Sequence, residues 1–175
     1  MPVGEGLALG RHNGAVPSPP ASSDDALMAV ALAEARKALA VGDVPVGAVV
    51  VSPDGVVVGS GYNRREADAD PTAHAEVLAL REAARTLGRW RLDDCTLVVT
   101  LEPCAMCAGA TALARVPRLV LGAWDDKAGA CGSVWDLVRD RRMNHWVEVV
   151  GGVREAECAQ LLREFFESRR PSPIE

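Results

Sequence analysis

Aromatic residues are scarce in this chain. Its 175 residues include two phenylalanines, one tyrosine and four tryptophans, so the core has to be built from Val, Leu and Ala. Basic charge is also short: Asp and Glu outnumber Lys and Arg, and the formal net charge is -5. That balance argues against a protein that coats nucleic acid non-specifically, while leaving room for local basic patches that grip one folded RNA. No apolar run approaches the roughly 18 residues needed to span a bilayer. The N-terminus lacks the charged and then apolar regions of a secretory signal. The five cysteines are an odd number, and Cys95, Cys131 and Cys158 show no framework. That pattern suits a reduced cytoplasm better than a disulfide scaffold. What is present is an ordinary globular balance, at a length that suits one domain around one core.

Residues 1–22 are rich in Pro, Gly and Ser without an apolar period, and read as a disordered N-terminal extension. His12 lies in it. Ser23-Asp24-Asp25 offers N-cap chemistry for a first helix that ends near Gly42. Two β-branched runs, 44–51 and 56–62, flank Pro53-Asp54-Gly55 and read as a hairpin. Their near-continuous hydrophobicity implies a sheet covered on both faces. A polar loop at 66–70 leads to a second helix at about 73–87, with Gly88 as its stop. A buried strand at 96–101 precedes a third helix that Pro103 opens and Pro117 breaks. A strand at 118–123, a Gly-rich loop at 125–133, a short amphipathic piece at 134–138 and the basic segment 139–142 follow. A strand at 146–150 and a helix at about 154–167 complete the order, and 171–175 read as a frayed end. Strands alternating with helices imply crossovers, hence an α/β fold with an at least partly parallel sheet. The domain spans 23–170.

Two short motifs carry the chemistry. Pro71-Thr72-Ala73-His74-Ala75-Glu76 supplies an imidazole and a carboxylate. Glu102-Pro103-Cys104-Ala105-Met106-Cys107 supplies two thiols at i and i+3, neighbours on a helix surface. Each stands where a loop or strand delivers a helix N-terminus, whose positive dipole end favours thiolate over thiol. Two thiolates and one neutral imidazole balance a Zn2+ ion and leave one tetrahedral position open, the pattern of a catalytic zinc site. Glu76, as a neighbour and not a fourth ligand, is then placed to move protons. The H-x-E … P-C-x-x-C arrangement is the signature of zinc deaminases, with the glutamate as general acid/base. Taken singly, a C-x-x-C pair or a helix-start histidine is as readily structural; the two motifs together are specific. His145, remote from both, suits a structural role.

These motifs resemble the bacterial tRNA-specific adenosine deaminases, over roughly residues 24–170. The resemblance extends to Val44 through Val49, Asn63-Arg64, the loop 122–133, Met143-Asn144-His145 and Phe165-Phe166. It implies a cytidine-deaminase-like three-layer α/β/α fold, a five-stranded mixed sheet with helices on both faces. It implies one zinc per chain, a homodimer and a cytoplasmic location, with no membrane and no nucleotide cofactor. The implied reaction converts the wobble adenosine of a tRNA anticodon loop to inosine, the base being flipped into the pocket. By position, His74, Cys104 and Cys107 match the zinc ligands and Glu76 the proton shuttle. Asn63, Val44, Ala75 and Pro103 match the pocket, Asp125 and Lys127 the loop that meets flanking nucleotides, and Phe166, Arg169 and Arg170 the terminal helix that meets the anticodon loop.

The chain departs from the pattern in three places. Arg65 stands where proline is common, Trp124 where arginine precedes the aspartate, and Pro171 ends the basic tail after Arg170. RNA grip is then expected to lean on Arg139 to Arg142. Two other functions stay open on the same residues: deamination of a free base or nucleoside of guanine or cytosine type, and a zinc-stabilised RNA-binding protein without turnover.

Overall fold

The structure, a computed structural model, describes residues 21–169, and the side chains of 24–169. Residues 1–20, Arg170 and the 171–175 segment, with the expectations placed on them, lie outside the described residues.

Helix α1 spans Ala21–Ala40, two residues ahead of the expected domain boundary. Asp24 is therefore inside its first turn and not at a cap. Its carboxylate instead receives both terminal nitrogens of the Arg118 guanidinium, at 2.9 and 2.7 Å. This two-point ion pair, largely withdrawn from solvent, ties α1 to the sheet. Strands β1 (Gly47–Val51) and β2 (Val57–Tyr62) form the expected antiparallel hairpin. Gly55 makes the turn at φ 82°, and a bulge falls between Val50 and Val51. The stretch read as a loop contains one helical turn, α2 (Arg65–Asp68), braced by Arg64 on the Asp68 carboxylate. Helix α3 (Ala75–Leu87) stops at Gly88, φ 65°, whose N–H donates to the Ala84 and Arg85 carbonyls.

Next come β3 (Thr96–Leu101), α4 (Ala105–Leu113), β4 (Arg118–Ala123), β5 (Glu148–Val150) and α5 (Glu155–Glu167). Cys104 is the N-cap of α4, so Pro103 precedes the helix instead of opening it. The amphipathic piece at 134–138 makes no helix; Cys131 pairs antiparallel with Asp136 there. Strand β5 starts two residues later than expected.

The sheet order is β2-β1-β3-β4-β5. The pairs β2–β1 and β1–β3 are antiparallel, while β3–β4 and β4–β5 are parallel, so the sheet is mixed and five-stranded. Alternation sorts its side chains into two cores. Ala48, Val50, Leu97, Val99, Leu119 and Leu121 face α3 and α4. Val49, Val51, Val98 and Val120 face α1 and α5. The three-layer α/β/α arrangement is the one expected.

Helix α3 sits unusually close to β2. A Cβ on Gly59 would lie 2.4 Å from the Ala79 carbonyl, and one on Gly61 would lie 2.5 Å from the Ala75 carbonyl. Two glycines facing the buried stripe Ala75, Ala79 and Ala83 thus fix the depth at which α3 begins. That start carries the candidate site. None of the described helices is long and apolar enough to cross a membrane.

Candidate metal centre and active site

His74 and Cys104 occupy equivalent places. Each is an N-cap residue with extended backbone, at ψ 150° and 173°, and neither uses its side chain to cap its own helix. For α3 the cap is supplied from elsewhere: the Asn63 Oδ1 accepts the Ala75 backbone N–H at 3.0 Å. The imidazole is thereby released for other work.

That work is shared with the two thiols. His74 Nδ1 lies 3.8 Å from Cys104 Sγ and 3.6 Å from Cys107 Sγ. The three donor atoms all lie within 4.8 Å of one another, and Glu76 is outside this group. Tetrahedral zinc with Zn–S of about 2.3 Å and Zn–N of about 2.0 Å separates sulfur from nitrogen by about 3.6 Å. The donor set therefore fits one Zn2+ ion without rearrangement. The thiols carry the same message. Hydrogen bonds from Cys107 and His74 pull the Cys104 thiol down to about 3. The Cys104 thiolate and burial hold the Cys107 thiol far above its ordinary range. The opposed directions favour one thiolate and one thiol in the metal-free pair, and a cation is what lets both be thiolates. The hydrogen bond to Cys104 raises the His74 pKa, against the effect of burial.

Glu76, in the first turn of α3, is buried at 3% exposure. Burial is the main reason its carboxyl is pushed up from the ordinary range; its own backbone N–H and the nearby His74 pull the other way. It lies beside the Cys107 thiol. His74 and Cys104 stay half-exposed, whereas Cys107 and Glu76 are buried.

The other sequence-singled residues divide into three groups. Asn63 and Ala75 adjoin the cluster through their shared hydrogen bond, and the half-buried Val44 stands two residues before Val46, whose carbonyl takes the Asn63 N–H at 3.1 Å. Pro103 is buried, and its carbonyl takes the Ala130 N–H at 2.9 Å. Asp125 is occupied locally: its Oδ1 accepts the N–H groups of Lys127 and Ala128 at 3.0 and 3.2 Å, while the Lys127 side chain is exposed. Phe166 is 52% exposed. Arg169 is folded back, stacked 4.0 Å over the Phe165 ring and donating to the Gly42 carbonyl at 2.7 Å.

Within the basic segment Arg139 pairs with Asp136 and Arg142 with Asp140, the Arg142 side chain staying 84% exposed, while Arg141 has no ion pair among the described residues. Arg65 approaches the buried Asp43 carboxylate at 3.8 Å. His145 is structural, its Nε2 donating to the Val116 carbonyl at 2.8 Å.

Two acidic residues matter more than their sequence positions indicated. Asp43 is buried and accepts the N–H groups of Val44 and Glu66, at 2.8 and 3.0 Å, joining the strand entry to α2. Glu102 accepts three backbone N–H groups, from Asp125, Cys131 and Ser133, at 3.0, 2.9 and 3.1 Å. It thereby pins the whole 123–133 loop against the start of α4, and Gly129 pairs with Cys104 in that contact. A side chain at Gly129 would collide with Glu102, its Cβ lying 2.2 Å from Oε2. The available signal was an acid closing a buried apolar strand, a position that burial forbids unless hydrogen bonds await it.

A separate cavity of about 320 Å³ opens on the outer side of β2, lined by Lys37, Tyr62, Arg64 and Glu82 among others, and none of the metal-cluster residues borders it.

The family model describing the cytidine and deoxycytidylate deaminase zinc-binding region matches residues 21–123. The chain belongs to this deaminase family. Within it, the deaminase is 49% identical over 147 residues to the tRNA-specific adenosine deaminase of Haemophilus influenzae, covering 84% of this chain and 85% of that one. It is 43% identical to a solved tRNA:A34 deaminase structure, with a TM-score of 0.75 over 78% of this chain and 99% of that one. A guanine deaminase from Nitrosomonas europaea has the same fold at 26% identity and a TM-score of 0.66, covering 94% of this chain and 97% of that chain.

Proposed function

We propose that this deaminase hydrolyses the wobble adenosine of a tRNA anticodon loop to inosine, releasing ammonia. The observation that carries the chemistry is the His74–Cys104–Cys107 cluster with a buried carboxyl, Glu76, beside it and outside it. The adenosine substrate is supported by the relatives' activity at 49% and 43% identity, against 26% for the guanine deaminase.

His74, Cys104 and Cys107 hold the metal. When bound, zinc supplies a Lewis acid that makes water nucleophilic near neutral pH. Glu76 takes the proton of the attacking water and delivers protons to the purine ring nitrogen and to the departing amine. Water's oxygen becomes the C6 carbonyl, the C6–N bond breaks, and the amine leaves as ammonia. Asn63 spends its oxygen on Ala75 and keeps its NH2 group as a donor to the nucleoside. Ala75, Val44 and Pro103 wall the pocket. Lys127 meets the RNA backbone, and Phe166 meets the anticodon loop. The Arg169 contact to Gly42 holds the terminal helix against the turn that leads to Val44. The partner is an anticodon stem-loop, and a tRNA-modifying enzyme works in the cytoplasm.

The same reading includes a homodimer. Support comes from α4, which leaves Met106 and Leu113, seven positions apart on one helix face, 37% and 65% exposed.

The test is product analysis with the zinc-loaded chain. Inosine should form in an anticodon stem-loop, with no ammonia from free guanine, cytidine or adenosine. Ammonia from a free base and no inosine in RNA would move the chain to the small-molecule class.

A further inference from the structure

All four tryptophans are exposed: Trp90 at 62%, Trp124 at 42%, Trp135 at 52% and Trp146 at 71%. They fall at opposite edges of the sheet. Trp90 precedes β3 and Trp146 precedes β5, so both lie at the amino ends of the parallel strands. Trp124 directly follows β4, at the carboxyl edge where the metal cluster lies and where open α/β sheets bind ligands. Trp135 is on the same side, its N–H donating to the carbonyl of Gly129, the residue paired with Cys104.

Trp124 is seated, not loose. A Cβ on Gly151 would lie 2.2 Å from its Cζ2, and one on Gly132 would lie 3.5 Å from its Cζ3. Two glycines thus back the indole while much of it stays open to solvent. The Gly132 N–H also donates to the Trp135 carbonyl at 2.8 Å, which links the two tryptophans through one turn. Glu102 holds that turn rigid through its bonds to Cys131 and Ser133. Cationic help is thin. Arg139 and Arg142 are bound to Asp136 and Asp140, leaving Lys127 and Arg141 as the loop's cations without an ion pair among the described residues.

We propose that Trp124 and Trp135 form a stacking surface for unpaired nucleobases beside the target base, so that RNA is held by stacking more than by phosphate neutralisation. This rests on the RNA-deaminase reading above and names how that site takes its polymer. A flat aromatic face accepts any base, and a rigid one loses little freedom on binding.

The experiment uses the zinc-loaded full chain and a labelled anticodon stem-loop, with Kd read by fluorescence anisotropy. Trp124→Ala and Trp135→Ala should each raise Kd by about 5- to 100-fold, the range of base–aromatic stacking, while Trp124→Phe recovers most of the loss and Trp146→Ala stays within about twofold. The slope of log Kd against log salt should be shallow, on the order of 1 to 2, as two free cations allow. Abasic nucleotides flanking the target should weaken binding by the unaltered chain to a similar degree, and Trp124→Ala should add little on that RNA. The abasic RNA with the unaltered chain needs no protein variant to fold. A Kd that ignores Trp124 and the flanking bases overturns the proposal, as does a change in oligomeric state at unchanged Kd. Inosine is scored separately. Stacking-dependent binding without inosine removes the deaminase reading alone, and inosine with tryptophan-independent binding removes the stacking alone.

Discussion

Asn63 caps a helix it does not belong to: its Oδ1 accepts the Ala75 N–H at 3.0 Å. The bond leaves His74, the formal N-cap, free to turn its ring toward two thiols. Structure and chemistry meet in one amide, because Oδ1 holds the helix start and Nδ2 remains to meet a nucleoside.

The two halves of that amide are separable. Asn63→Ala should lower stability by about 1–3 kcal/mol, the cost of an unpaired buried donor, and abolish most activity. Asn63→Asp keeps the acceptor and loses the donor. Its melting temperature should lie nearer the parent's, while kcat/KM falls at least about tenfold, the value of one lost hydrogen bond to a reacting ligand. Equal activity in Asn63→Asp would remove the donor role.

Glu76→Gln should keep its zinc and its fold and lose turnover by at least about 10²-fold, the low end for general acid–base catalysis. Metal analysis and stem-loop kinetics on one preparation decide it. Normal turnover would exclude Glu76 as the proton carrier.

Metal uptake should release protons. The Cys107 thiol, held protonated by burial and by the Cys104 thiolate, has to ionise, so binding one Zn2+ should expel at least about one proton per chain. The sign follows: affinity weakens as pH falls, because protons and metal compete for sulfur. Calorimetry in buffers of different ionisation enthalpy measures the count. A count of zero would contradict the thiolate–thiol pair.

Glu102 provides a pH-dependent stability term. Burial alone would raise its pKa, but hydrogen bonds from Ser133, Asp125 and Cys131 outweigh burial and hold it below the ordinary range. A depressed carboxylate stabilises fully above its unfolded pKa, and that contribution is lost as pH falls through the lower folded value. Acid melts should show the loss below the ordinary glutamate range. Glu102→Gln sets an NH2 group against a backbone N–H; it should cost about 1–3 kcal/mol near neutral pH and flatten the acid limb. An unchanged acid profile would assign that limb to other carboxylates.

Much of the fold was readable because its signals are local. The five strands announced themselves by β-branching and length, and Gly88 marked the end of α3 by the left-handed turn it makes. Two of the misses involve partners distant in sequence. Ser23-Asp24-Asp25 looked like a cap, and Pro103 looked like a first helical residue. Both positions were redefined by partners distant in sequence: Arg118 for Asp24, and Ala130 for the Pro103 carbonyl. The Arg139–Arg142 run is a different case: Asp136 and Asp140, which take the Arg139 and Arg142 guanidiniums, stand only three and two residues away, so that pairing was legible in the sequence.

The sequence by itself determined the reactive set, His74, Glu76, Cys104 and Cys107, and the order of helices and strands around it. Ligand identity, i and i+3 spacing and hydrophobic period are properties of short segments. Only the tertiary structure decided that Asn63 would cap α3, that Glu102 would bind three amides of one loop, that Arg169 would fold onto Phe165, and that Trp124 would rest on Gly151. Those outcomes depend on which groups meet across the sheet, where a buried donor or charge takes whatever partner the packing brings within 3 to 4 Å.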